Sequence, residues 1–166
     1  MTHPNPPAGT LDIVIFGGAG DLSFRKLLPA LYMAHLHDKL DASARIIAVG
    51  RQDWTRQAYL DFIDKNSPAF IEKDAFIADN WQSFLNRLVY VSMDVTNAND
   101  FHKLKDLCDT PALRVYYLAT APSLFTQIFE LLEVVGVGDV HADVGQAVQK
   151  ALPIVFGEGV FFDEGG

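Results

Sequence analysis

The sequence contains a single cysteine, Cys108, and has few basic residues for its length. One thiol cannot form an internal disulfide or a thiolate metal cluster, so we expect a reducing compartment and a cytoplasmic location. The 13 Lys and Arg against 21 Asp and Glu give a net charge of −8, which disfavours binding to nucleic acid or to an anionic membrane surface. No run approaches the roughly 20 apolar residues of a membrane span, and residues 1–10 lack the apolar stretch of a signal peptide.

Several catalytic patterns are also missing. There is no G-x-x-x-x-G-K-[ST] loop, which excludes a P-loop nucleotide hydrolase, and there is no Tyr-x-x-x-Lys pair for the proton transfer of a short-chain dehydrogenase. The histidines are not spaced as ligands, so we expect no metal site; they are His3, His35, His37, His102 and His141. Any enzymatic chemistry has to rest on another pattern.

The sequence does have a repeated alternation of apolar strands and amphipathic helices. Hydrophobic residues make up 49% of the chain, which suits one packed domain. Buried strands joined by helices form parallel sheets with right-handed crossovers. The pattern predicts an α/β fold, a doubly wound (Rossmann-like) parallel sheet with helices on both faces. The predicted strands are 11–16, 45–50, 89–93 and 114–120, and the predicted helices are 22–37, 55–66, 74–88, 97–109 and 122–134.

A glycine-rich turn joins the first predicted strand to the first helix. The sequence Gly17-Gly18-Ala19-Gly20-Asp21-Leu22 lets the backbone approach a pyrophosphate, and the free N–H groups at the helix N-terminus favour an anion. The match to G-x-G-x-x-G is partial, because Ser23 occupies the third glycine position. A turn needed only for chain reversal is the alternative. Asp21 would repel a phosphate if it faced inward, so a role as helix cap is at least as well supported as a binding role.

Arg51 follows the second strand, where NAD-binding sites place an acid that accepts hydrogen bonds from the ribose 2′-hydroxyl. A guanidinium there pairs with a 2′-phosphate instead, so the sequence favours NADP over NAD. Asp53 could accept the ribose hydroxyl and keeps NAD open as an alternative. A solvated surface arginine is the other interpretation of Arg51.

Two further pairs of residues are candidates. Arg25 and Lys26 lie in the first turns of the first helix, where cations are mildly unfavourable unless an anion is bound. A solvated charged face is the alternative for this pair. Asp94 and Thr96 follow the third strand and could either line an adenine pocket or cap the next helix.

These residues together resemble the glucose-6-phosphate dehydrogenase family. The resemblance lies in residues 12–22, in Arg25-Lys26-Leu27-Leu28-Pro29, in residues 46–51, in Asp94-Val95-Thr96 and in residues 117–123. It implies the coenzyme domain of an oxidoreductase that transfers hydride from C1 of glucose 6-phosphate to NADP, giving 6-phosphogluconolactone in the pentose phosphate pathway.

The resemblance also implies a role for each matching residue. The turn formed by Gly17, Gly18, Ala19, Gly20, Asp21 and Leu22 would hold the pyrophosphate, and Arg51 would hold the 2′-phosphate. Lys26 would reach the substrate glucose 6-phosphate, and Asp94 and Val95 would lie near the adenosine end. Two positions depart from the family, since Ala19 replaces a common Ser or Thr and Phe24 replaces a common Lys or Arg.

The resemblance ends near residue 132. The family continues with Glu-Lys-Pro, an Asp-His-Tyr-Leu-Gly-Lys substrate motif and a catalytic histidine, none of which occurs here, so we predict no catalytic residue in this chain. Residues 134–166 contain 7 of the 12 glycines. We therefore predict a disordered segment at 1–10, a dinucleotide-binding domain at 11–133 and an unassigned glycine-rich acidic tail at 134–166, as a truncated or frameshifted gene would produce.

This organisation leaves the sheet incomplete at its C-terminal end, with the fourth strand as an exposed apolar edge. We expect the isolated chain to bind NADP at most, without turnover. The alternative is a non-catalytic nucleotide-binding or interaction module. A methyltransferase shares the glycine turn, but Arg51 replaces the acid that would hold a ribose. Full-length members of the family can form oligomers, and the sequence leaves the oligomeric state of this chain open.

Overall fold

The computed structural model describes residues 5–9 and 11–137, and its centre is a four-stranded parallel sheet in the order β3-β2-β1-β4. Strand β1 pairs with both β2 and β4, so that Val14 lies opposite Ile47 on one side and Tyr116 on the other. This order matches the first four strands of the 3-2-1-4-5-6 order of a Rossmann-type sheet, which are one half and the first strand of the other. The strands are β1 (Leu11–Phe16), β2 (Arg45–Gly50), β3 (Leu88–Ser92) and β4 (Leu113–Leu118).

Within the same residues there are five α-helices, of which the first four lie between strands and the fifth follows β4: α1 (Leu28–Leu36), α2 (Arg56–Asn66), α3 (Ala78–Leu85), α4 (Phe101–Leu107) and α5 (Phe125–Val135). A π-helical segment, Ser23–Leu27, precedes α1. Short 3-10 turns occupy Pro68–Phe70, Ala98–Asp100 and Pro122–Leu124. Helix α3 is shorter than predicted because β3 already begins at Leu88, which pairs with Ile46 of β2.

The helices cover both faces of the sheet. Successive residues of a strand face opposite sides, so Ile46 and Ala48 of β2 pack with the cluster under α1, α2 and α3, whereas Ile47 and Val49 pack with the cluster under α4 and α5. Every residue of β2 is buried. Two hydrophobic cores on either side of one parallel sheet confirm the predicted doubly wound fold.

A charge cluster lies buried at the amino end of the sheet. Asp12 of β1 is fully buried and accepts two hydrogen bonds from Arg45 of β2, at 2.8 and 3.0 Å. Arg114 of β4 lies 3.3 Å from the same carboxylate. The hydrogen bond to Asp12 raises the pKa of Arg45. The three side chains therefore join three neighbouring strands at the end opposite the glycine turn.

Glycine ends the last described helix. Gly136 has a φ of +73°, and its N–H donates to the carbonyl of Glu133 while that of Val137 donates to Leu132. This pair of bonds is a Schellman motif, which satisfies carbonyl groups at the end of α5. The helix thus reaches Val135, slightly past the predicted end of the domain.

Part of the predicted organisation falls on residues outside this description. Residues 5–9 contain no helix or strand, whereas residues 1–4, residue 10 and nearly all of the predicted tail, 138–166, lie outside the described residues. The disordered segment and the tail therefore remain predictions. Strand β4 lies at the edge of the described sheet, with Leu113 61% exposed. None of the described helices is long and apolar enough to cross a membrane.

Candidate dinucleotide-binding site

The glycine turn leaves β1 at the carboxyl edge of the sheet and packs closely on the neighbouring strand. Gly17 has a φ of +85°, which favours glycine. The N–H groups of Gly17 and Gly18 both donate to the carbonyl of Val49 on β2, at 2.9 Å each. A Cβ added to Gly18 would lie 2.5 Å from the Cβ of Ala48. Only glycine allows the backbone to approach β2 this closely.

Ser23 closes the turn from the other side. Its side chain is fully buried, and its hydroxyl donates to the carbonyl of Gly17 at 2.8 Å. Ser23 stands where the G-x-G-x-x-G pattern has its third glycine. The small serine fits the close contact between turn and helix and adds a hydrogen bond that glycine cannot make. In the sequence alone, Ser23 is only a departure from the pattern.

The start of the helix leaves backbone donors without acceptors. Within the part of the chain that the structure describes, the N–H groups of Ala19, Asp21 and Leu22 donate to no backbone carbonyl or side chain. Such groups at a helix N-terminus attract anions. The predicted capping role of Asp21 is wrong, because Asp21 already lies in the helical turn and its exposed carboxylate accepts no described hydrogen bond. An N-cap residue needs an extended backbone conformation to fold its side chain back.

The two cations after the turn lie in the π-helical segment, and both are exposed. The guanidinium of Arg25 lies over the ring of Phe70, 5.2 Å from its centroid, so this residue has a local partner. Lys26 makes no described ion pair and extends from the same segment. Phe24, which departs from the family pattern, packs edge to face on Phe62 with ring centroids 5.4 Å apart. Phe24 therefore packs against the hydrophobic core, where a lysine or arginine would extend into solvent.

Arg51 lies at the carboxyl end of β2 and is exposed. Gly50 before it is fixed in the sheet, since its carbonyl accepts from the N–H of Met93 at 2.9 Å. Because the strands are parallel, Arg51, the glycine turn and Asp94 all follow carboxyl ends at one edge of the sheet. The structure therefore brings the predicted phosphate-binding segments to one place.

Asp94 is held by its own loop. Its carboxylate accepts from the hydroxyl of Thr96 at 2.7 Å and from the N–H of Thr96 at 2.9 Å. These hydrogen bonds, with a smaller contribution from nearby Arg51, hold the pKa of Asp94 below its ordinary value. Asp94 thus closes a turn and does not cap the following helix, whose 3-10 turn is capped by Asn97. The side chain of Val95 is buried in the hydrophobic core.

Three residues at this edge were not singled out from the sequence. The hydroxyl of Tyr59 donates to the carbonyl of Gly18 at 2.9 Å, and that of Tyr90 donates to the carbonyl of Gln52 at 2.7 Å. The buried hydroxyl of Thr120, beside Gly17, has no hydrogen-bond partner among the described residues. Local sequence patterns hold no signal for the two tyrosines, whose partners are distant along the chain. Thr120 follows a strand end, which is a signal that the sequence does carry.

The strand order and the glycine turn at the carboxyl edge define the chain as a Rossmann-type domain of the NAD(P)-binding kind. A family model described as "Glucose-6-phosphate dehydrogenase, NAD binding domain" matches residues 14–149. The chain therefore belongs to the glucose-6-phosphate dehydrogenase family, as its sequence resemblance predicted. The match extends past residue 133, and the boundary predicted there stays a prediction.

Named relatives agree with this assignment. The glucose-6-phosphate 1-dehydrogenase of Mycolicibacterium smegmatis is 37% identical over 134 residues, which cover 77% of this chain and 27% of the relative. That of Buchnera aphidicola (strain Bp) is 32% identical over 160 residues, or 92% of this chain and 32% of the relative. The crystal structure of the Mycobacterium avium enzyme superposes with a TM-score of 0.71 at 26% identity, covering 88% of this chain and 34% of that one. The chain thus spans about a quarter to a third of the length of these relatives.

Proposed function

We propose that this chain binds NADP at the carboxyl edge of its sheet, as the coenzyme domain of a glucose-6-phosphate dehydrogenase. The observation that carries the proposal is the glycine turn, with free N–H groups at Ala19, Asp21 and Leu22, on the same sheet edge as the exposed Arg51. Free N–H donors suit a pyrophosphate, and a guanidinium suits a 2′-phosphate. The hydroxyl of Thr120 beside Gly17, which has no hydrogen-bond partner in the described part of the chain, is a further polar group that a bound ligand would satisfy.

The choice between NADP and NAD depends on the loop after β2. Arg51 and Asp53 are both exposed there, and the first would pair with a 2′-phosphate whereas the second would accept a ribose hydroxyl. The carboxylate of Asp94 is already occupied by Thr96 and is therefore not a free acceptor for the coenzyme. Because Arg51 directly follows the last residue of β2, where a Rossmann site contacts the ribose, we infer that NADP is the preferred coenzyme and NAD the weaker ligand.

The reaction of the whole enzyme would be hydride transfer from C1 of glucose 6-phosphate to NADP. Within residues 1–166 we assign Lys26 to the substrate and no residue to proton abstraction, because the Asp-His-Tyr-Leu-Gly-Lys motif and the catalytic histidine of the family do not occur among them. General base catalysis typically contributes about 10² to 10⁴ in rate. We therefore propose coenzyme binding without turnover, in a cytoplasmic setting that suits the free Cys108.

Calorimetric titration of the chain with NADP and NAD tests the proposal. The Arg51→Ala variant should bind NADP about 10- to 100-fold more weakly, because it loses charge-assisted bonds to the 2′-phosphate, and its affinity for NAD should change little. Lys105→Ala is the matched control, since it removes an exposed charge near Leu107, whose carbonyl is bound by Arg45 at the opposite end of the sheet. Equal losses for NADP and NAD would contradict the role of Arg51, and no binding of either ligand to folded wild-type chain would reject the function.

A further inference from the structure

Two buried tyrosines connect the two candidate phosphate-binding segments. Tyr59 of α2 is fully buried and donates its hydroxyl hydrogen to the carbonyl of Gly18 in the glycine turn. Tyr90 of β3 does the same for the carbonyl of Gln52, the residue after Arg51. The two rings stack with centroids 4.7 Å apart and planes inclined by 19°. A continuous contact therefore runs from the glycine turn to the loop that carries Arg51.

Each hydrogen bond fixes the orientation of one peptide group. In a trans peptide the carbonyl and the following N–H point in opposite directions, and the described residues contain no cis peptide. Because Tyr59 holds the carbonyl of Gly18 inward, the N–H of Ala19 is turned away from the core and left free for a ligand. Tyr90 orients the peptide between Gln52 and Asp53 together with the N–H of Trp54, which donates to the same carbonyl at 2.8 Å.

The pair is suited to act as a rigid support. Burial raises the pKa of Tyr59 strongly and that of Tyr90 to about 12, so both hydroxyls stay protonated and able to donate at neutral pH. The packing around Tyr90 is also tight, because a Cβ added to Gly50 would lie 2.7 Å from its hydroxyl oxygen. A movement of either ring would therefore displace the backbone that it holds.

We propose that Tyr59 and Tyr90 are positioning residues, which set the glycine turn and Arg51 at the separation that one NADP molecule requires. The inference rests on the proposed function, since it needs the pyrophosphate at the turn and the 2′-phosphate at Arg51. Tyr59 supports the pyrophosphate contact, which NADP and NAD share. Tyr90 supports the loop of Arg51, which distinguishes the two coenzymes. The tyrosines thus divide affinity and selectivity between them.

The test compares Tyr59→Phe and Tyr90→Phe in the full 166-residue chain. Each variant removes one hydroxyl and keeps the ring stack. Loss of one hydrogen bond that orients the site should change affinity by about fivefold. In calorimetric titrations, Tyr59→Phe should weaken NADP and NAD about equally, whereas Tyr90→Phe should weaken NADP about fivefold and NAD less than about twofold.

Tyr116→Phe is the matched control. The hydroxyl of Tyr116 donates to the carbonyl of Val137 at 2.6 Å, in the core on the other face of the sheet, so the variant loses a comparable buried bond without touching the site. Its NADP-to-NAD affinity ratio should equal that of the wild type. An unchanged ratio in Tyr90→Phe, or the same shift in Tyr116→Phe, would overturn the positioning role while leaving the proposed function intact. A folded wild type that binds neither coenzyme would overturn both.

Discussion

The three glycines of the turn after β1 meet different steric requirements. Gly17 adopts a left-handed backbone conformation, with a φ of +85°. Gly18 has an ordinary conformation, but an added Cβ would lie 2.9 Å from the Cα of Ala48, which is backbone and cannot turn aside. At Gly20 an added Cβ would meet only the carbonyl of Gly17, at 3.3 Å. At Gly17 an added Cβ would also lie 2.6 Å from the carbonyl oxygen of Ala119, so this residue meets both a conformational and a steric requirement, whereas at Gly18 the requirement comes from β2 alone.

Gly18→Ala and Gly20→Ala should consequently differ in stability. We expect Gly18→Ala to lower the free energy of unfolding by about 2–3 kcal/mol, because the methyl group overpacks against β2. Gly20→Ala, two residues further along the same turn, should change the free energy of unfolding by less than about 0.5 kcal/mol. Urea unfolding of both variants measures the difference. Similar losses in the two would show that the close contact with Ala48 is not what Gly18 provides.

At the scale of single residues, the sequence predicted the parts of the site that lie in one short segment. The turn from Gly17 and the arginine at a strand end follow from local backbone chemistry. Tyr59 could not be found in this way, because its partner Gly18 is 41 residues away and its place in α2 suits any core aromatic. The predicted capping role of Asp21 was wrong for a similar reason, since the exact first residue of a helix depends on how the turn packs and not on the local sequence alone.

The start of the first helix shows how one element adapts to its residues. Pro29 has no N–H, so one carbonyl of the preceding turn loses its donor. The chain widens into the π-helical segment just before it, with the N–H of Leu28 bound to the carbonyl of Ser23. The hydroxyl of Ser67 donates to the carbonyl of Phe24 at 2.8 Å and satisfies it from another element. The spacing of apolar residues predicts a helix here, but it cannot distinguish this wider turn from regular helix.

The end of α1 is tied to the approach to β3 by a histidine. Nδ1 of His35 accepts from Nε of Arg87 at 3.0 Å, and Arg87 also donates to the carbonyls of Asp41 and Ala44. This hydrogen bond requires a neutral imidazole with a free lone pair. Burial, and then the charge of Arg87, lower the pKa of His35, while a hydrogen bond with the backbone of Asn80 and then the charge of Asp38 oppose the shift more weakly.

Stability should therefore fall in weak acid. In the unfolded chain the imidazole of His35 becomes protonated near pH 6.5, whereas the folded state keeps it neutral to a lower pH. The contribution of His35 to the free energy of unfolding is therefore complete above pH 6.5 and is lost as the pH falls below it. His35→Asn keeps an acceptor for Arg87 but does not titrate. Urea midpoints measured between about pH 7.5 and about pH 5.5 should fall more steeply in the wild type than in this variant. Parallel pH profiles would contradict the assignment.

At the scale of the whole sheet, the two ends differ in how they treat polar groups. The carboxyl edge leaves backbone donors and Arg51 available, whereas the amino end buries its charges around Asp12. The strands themselves were predicted to within one or two residues, because short apolar runs rich in β-branched and aromatic residues identify buried strands, and two of these runs stop at a glycine. The charge cluster was not predicted, since Asp12, Arg45 and Arg114 come together only when the strand order is known.

Asp12→Asn should lower the stability of the whole chain. The substitution keeps the shape of the side chain but leaves Arg45 and Arg114 buried without their shared counter-charge, which typically costs about 3–5 kcal/mol. The carbonyls of Leu107 and Cys108, which accept from these arginines at 2.9 Å each, cannot replace that charge. The loss should appear in urea unfolding as one shifted transition, because the cluster joins β1, β2 and β4.

Asp74→Asn removes the same charge from an exposed position and is the control for Asp12→Asn. It should leave the free energy of unfolding within about 0.5 kcal/mol of the wild type. A loss of similar size in both variants would mean that net charge, and not the buried cluster, determines the effect. A loss confined to Asp12→Asn would show that the end of the sheet farthest from the proposed coenzyme site holds together the strands that form that site.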